Sequence, residues 1–125
     1  MRTVKEVGRN YTADIDIPSA SIDFTTVGAT ANTTLSDDSG LITILVSCST
    51  ADITLTLPAA SGNQASFNII KVDSTAYKVI IDPNASETID GASTIYIYDQ
   101  WDHVQIQSDD TNWVINNNSL NQKWT

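Results

Sequence analysis

From Leu41 onward, polar turns cut the chain into apolar runs of strand length that are rich in β-branched residues, and helical spacing is hard to find. That pattern confines the chain to an all-β fold. LITILVSC (41–48) is nearly continuous, as in a strand covered on both faces or lying at a subunit contact. DITLTLP (52–58) alternates, with Ile53, Leu55 and Leu57 on one side and Thr54 and Thr56 on the other, and Pro58 ends it because it has no N–H for a ladder. SFNIIKV (66–72) puts Phe67, Ile69 and Lys71 on one face and Asn68, Ile70 and Val72 on the other. DSTA (73–76) then leads into YKVIID (77–82), and the two runs around this short connection read as a hairpin. STIYIYD (93–99), WDHVQIQ (101–107) and WVIN (113–116) follow. The expected domain, 41–125, is a compact β-sandwich or barrel-like body of about seven short antiparallel strands.

Residues 1–40 differ. They are rich in Thr, Ala, Ser and Asp, with only weak alternation in ADIDIPSASIDF (13–24), and read as an extended arm plus one or two weak edge strands. The arm is basic: Arg2, Lys5 and Arg9 stand against Glu6, in a chain whose net charge is -9. That overall charge repels phosphate backbones and argues against general nucleic-acid binding. No apolar run approaches the length of a membrane helix, and no apolar signal core follows the N-terminal charges, so a soluble protein made in a reducing cytoplasm is expected. A single cysteine, Cys48, leaves no intrachain disulfide and no multi-cysteine zinc site.

The polar stretch DPNASETIDGAS (82–93) holds three carboxylates and is the first place to look for chemistry. As an EF-hand loop it fails, because Glu87 stands where the glycine belongs and Ser93 where the bidentate glutamate belongs. Glu87 and Asp90 could be nominated as a glycosidase acid pair, but both sit in a polar turn without neighbouring aromatics, where nothing keeps one protonated. His103 is the only histidine, so a triad of any kind must use it, and no GxSxG elbow is present. Its strand WDHVQIQ is polar on the histidine's face, which favours a polar or interfacial role. These readings predict no enzyme, no cofactor and no metal.

The aromatics Tyr96, Tyr98, Trp101 and Trp113 fit either a core or interface, or a platform that stacks on sugars, as in a monomeric carbohydrate-binding module. Tyr96 and Tyr98 fall opposite Ile95 and Ile97, so one strand has two faces suited to burial. A second sheet or a partner chain would cover them.

Ile53 to Trp113 resembles a β-module of bacteriophage virion appendages, found in tail-fibre and in head-fibre or capsid-decoration proteins. The pieces that carry the resemblance are a strand ending in LPAA, then FNIIKVD, then VIIDPN leading into ETIDG, and a closing SDDTNW. In that pattern a glycine often occupies the place of Asp110. The resemblance implies that 82–93 is a strand connection without catalytic residues, and that the protein is a homotrimer. It implies a non-enzymatic virion protein made in the host bacterial cytoplasm, with Tyr96, Tyr98, Trp101, His103 and Trp113 as candidates for the trimer interface or for surface binding.

A short chain with an arm and one module suits capsid decoration or a head fibre on the capsid surface better than a tail-fibre tip that binds the host receptor. Arg2, Val4, Lys5, Val7, Arg9 and Tyr11 would then anchor the arm to the major capsid protein or another virion protein. Host-surface glycans are a further expected partner class, and neither nucleic acid nor membrane insertion is expected.

Overall fold

The computed structural model describes residues 24–36 and 40–120, and the arm residues named above lie outside them. The described chain is all-β, with nine strands in two sheets and no helix. They are β1 (Phe24–Ala29), β2 (Thr33–Thr34), β3 (Gly40–Val46), β4 (Ile53–Thr56), β5 (Ala65–Lys71), β6 (Val79–Asp82), β7 (Ile95–Ile97), β8 (His103–Ser108) and β9 (Trp113–Asn118). The seven runs from Leu41 onward become β3 to β9, and β1 and β2 belong to the same two sheets.

The topology corrects the expectation of antiparallel strands. Strands β1 to β6 alternate between the sheets, so that β1, β3 and β5 pair in parallel in one sheet and β2, β4 and β6 pair in parallel in the other. Each pair of strands is one coil of a short two-sheet solenoid. The coils stack in register: Val27, Ile44 and Ile69 form one inward row with Val104, and Leu55 and Ile81 form another with Ile95. Inward and outward residues alternate along β4, β5 and β6, which is the pattern that the sequence shows.

The hairpin expected at 66–82 is also corrected. Strand β5 has β3 on one side and β8 on the other, which leaves no free edge for β6, and residues 72–78 cross to the second sheet. The last three strands run antiparallel and close one end of the stack: β7 on β6, β8 on β5, and β9 on β8 with an irregularity between Gln105 and Ile106. At the other end Val27 remains 42 % exposed although its row partners Ile44 and Ile69 are buried. Among the described residues, β1 and β2 each have a neighbour on one side only.

The core between the sheets is almost wholly apolar, with Phe67, Leu55, Ile81, Ile106 and Trp113 fully buried. Phe67 and Trp113 pack as tilted rings with centroids 5.8 Å apart. Burial of aromatic rings of this size is a large part of what holds such a sandwich together. Asn63 and Lys71 are the buried polar residues among those described, and Lys71 is inward and completely buried at the end of β5.

Candidate functional site

The loops that carry the phage-module resemblance meet at one end of the domain, where the second sheet hands back to the first. Both carboxylate oxygens of Glu87 accept the Ala60 N–H at 3.1 Å. Asp110 Oδ1 accepts from the Gly62 N–H at 2.6 Å, and Asn112 Oδ1 from the Thr88 N–H at 2.9 Å. Asp90 Oδ1 accepts from the Ile115 N–H at 3.0 Å, and the Ser108 hydroxyl donates to the Ala60 carbonyl at 2.5 Å. Side chains thus replace ladder bonds where three loops cross, each satisfying a backbone group that would otherwise lack a partner.

Within 82–93 the geometry is that of a turn. Ile89 and Ala92 exchange backbone hydrogen bonds at 2.8 and 2.9 Å, around Asp90 and Gly91 with φ of +50° and +85°. Two successive left-handed residues make a type I′ turn, the geometry for which Asp-Gly is suited. The nominated pair Glu87 and Asp90 are therefore committed to different backbone amides, and no group of three potential metal ligands occurs among the described residues. Asp110 has φ +77°, so it adopts the left-handed geometry in which a glycine would be unstrained. The neighbouring Asp109 carboxyl is held below its ordinary range by the N–H groups of Asn112 and Thr111. Glu87→Ala is expected to cost about 1–3 kcal/mol, because the buried Ala60 loses its N–H acceptor. Urea unfolding would check this, and an unchanged midpoint would mean that Glu87 does not tie the loops.

A second polar cluster lies at the opposite end, and sequence reasoning missed it. Lys71 Nζ donates to Asp73 Oδ2 at 2.9 Å, to the Asp73 carbonyl at 3.0 Å and to the Thr75 carbonyl at 3.0 Å. Asp73 also accepts from the N–H groups of Cys48 (2.7 Å) and Thr75 (3.0 Å) and from the Thr75 hydroxyl, which lies 2.9 Å from the Cys48 carbonyl as well. The cluster stitches the β5–β6 crossing to the β3–β4 crossing. The signal for it was in the sequence, as a lysine in phase with Phe67 and Ile69 and an aspartate two residues later. Cys48 is buried, and burial pushes its thiol up, away from the reactive thiolate.

The predicted surface residues separate. Trp113 is fully buried against Phe67, which corrects its place among the interface or surface-binding candidates: it starts β9 on the inward side. His103 is half-buried on the outer face of the five-stranded sheet, in register with Ile70, and bonds to Ser119 through its backbone N–H and carbonyl. Tyr96 and Tyr98 follow each other on the outer side of β7, with ring centroids 6.0 Å apart, and Tyr98 is exposed. Trp101 is 64 % exposed in the turn between β7 and β8. Sequence reasoning passed over Tyr77, which is exposed just before β6.

Tyr96 sits beside an exposed ion pair. Lys78 Nζ is 3.1 Å from Asp52 Oδ2 and 5.7 Å from the centroid of the Tyr96 ring. Asp52 is held below its ordinary range first by the Lys78 backbone N–H and then by the Lys78 side chain, which is itself raised by Asp52. Tyr77, Tyr98 and Trp101 are the large exposed aromatics among the described residues. The chain matches no family model and no curated protein.

Proposed function

We propose that this is a non-enzymatic virion structural protein of a bacteriophage, a capsid-decoration or head-fibre protein that displays a trimeric β domain and is attached through its N-terminal arm. The observation that carries the reading is the use made of the polar residues in the phage-like loops. Glu87, Asp90, Asp110 and Asn112 all bind backbone amides across loops, which supports reading the motif as a rigid corner. A stacked body of this kind suits display. Apolar side chains on its outside, Leu45 on one sheet and Tyr98 beside the other, supply surface for neighbouring copies or a capsid.

The mechanism is multivalent attachment: three weak arms on one rigid body bind with high avidity when the sites match their spacing. Light scattering across a concentration series is expected to give a mass near three times 13.5 kDa. Deleting residues 1–12 is expected to abolish binding to particles lacking their own copy while leaving the domain folded. A persistent monomer, or unchanged occupancy without the arm, would sink the reading.

A further inference from the structure

Trp101 is the residue that the fold explains least. Its φ is +70°, a backbone conformation that Gly, Asn or Asp adopts more cheaply than a bulky side chain, and yet the indole is mostly in solvent. Packing does not account for it. The turn that carries it is nonetheless well tied: the Trp101 N–H donates to the Lys71 carbonyl at 2.7 Å, the Gln100 side chain to the Val72 carbonyl at 3.0 Å, and the Asp102 N–H to the Asp99 carbonyl at 3.2 Å. Lys71 is itself fixed in the buried cluster. The ring is thus presented on a preorganised base, which lowers the entropic cost of binding.

At the same end lies a cleft of about 260 Å³ among the described residues, lined by Thr30, Asn32, Ser47, Ser49, Thr50 and Asp52. A chain of contacts joins it to the aromatics: Asp52 to Lys78, Lys78 to the Tyr96 ring, and Tyr96 to Tyr98. Hydroxyl and amide groups therefore lie at the same end of the domain as the exposed rings of Tyr98 and Trp101. The carboxylate in the cleft is neutralised by Lys78, and the chain's net charge of -9 opposes anionic ligands.

We propose that this end of the domain binds a neutral, hydroxyl-rich glycan, with Trp101 and Tyr98 against the apolar faces of the sugar rings and the Ser/Thr cleft receiving sugar hydroxyls. Flat apolar faces edged by hydroxyls are what that mixture of groups recognises. The inference holds for a monomer or an oligomer and does not rest on the virion reading.

The test titrates the full-length protein with maltohexaose, cellohexaose and chitohexaose, read by calorimetry and by tryptophan fluorescence. Saturable binding of at least one is expected, weakened roughly tenfold or more by Trp101→Gly and by Tyr98→Ala. Trp101→Gly is expected to unfold at the same temperature as the parent or higher, since glycine accepts the turn freely, and Trp101→Asn is the second variant that tolerates it. No binding of any of the three sugars would overturn the proposal, as would binding that Trp101→Gly and Trp101→Asn leave unchanged. So would self-association that Trp101→Gly abolishes without sugar binding, which would make the patch a contact between copies of this chain.

Discussion

Asp73→Ala is expected to lower the unfolding free energy by about 3–5 kcal/mol, the usual cost of leaving one partner of a buried ion pair alone. Lys71 has no solvent exposure, and Asp73 is the counter-charge of its ammonium among the described residues. The same substitution strips acceptors from the N–H groups of Cys48 and Thr75. Both crossings at that end would loosen together. Lys71→Met is expected to cost less, because Asp73 keeps its amide and hydroxyl donors and the unbranched apolar chain fills most of the space that the lysine stem occupies. Urea unfolding followed by fluorescence measures both, and a loss below about 1 kcal/mol for Asp73→Ala would show that the ammonium finds another partner.

The pair also sets a pH dependence. Burial on its own raises the Asp73 carboxyl, but the Thr75 hydroxyl, the Lys71 ammonium and the N–H groups of Cys48 and Thr75 outweigh it and hold the group well below the ordinary carboxylate range. A folded-state value below the unfolded one means that the stabilisation is complete above the unfolded pKa of about 3.9 and is lost as the pH falls through the folded one. The stability gap between the parent and Asp73→Asn is therefore expected to be constant near neutrality and to shrink below about pH 4. A gap that stayed constant into acid would contradict the assignment.

Trp113→Ala is expected to cost about 3–5 kcal/mol, the range for truncating a buried aromatic. The Trp113 ring packs at a tilt on Phe67, while its backbone N–H donates to the Thr88 carbonyl at 2.9 Å and its backbone carbonyl accepts from the Asp90 N–H at 2.9 Å, bonds that the substitution leaves in place. Losing the ring opens a cavity beneath the loop that β9 holds in place. Trp113→Phe is expected to cost much less, since the buried indole N–H has no hydrogen-bond partner to lose. Trp101→Ala, by contrast, removes a ring that is mostly in water and should hardly move the midpoint. Chemical unfolding of the three variants side by side checks the contrast, and equal losses at the two tryptophans would refute it.

That contrast marks the limit of what a local pattern carries. Alternation in DITLTLP and SFNIIKV determined which residues face inward, because the strand repeat of two leaves no other arrangement once one face is apolar. The same phase put Lys71 inward, and the Asp-Gly in 82–93 determined a turn. The sequence left open which sheet each strand joins and in which direction it pairs, since those follow from backbone hydrogen bonds between residues distant in sequence. Unequal coil lengths hid the solenoid: Gly28, Leu45 and Ile70 align across three coils although their spacings differ. The fates of Trp101 and Trp113 were decided in the same way, one on a turn at the domain's end and the other facing Phe67, because burial depends on what the rest of the chain places opposite a residue.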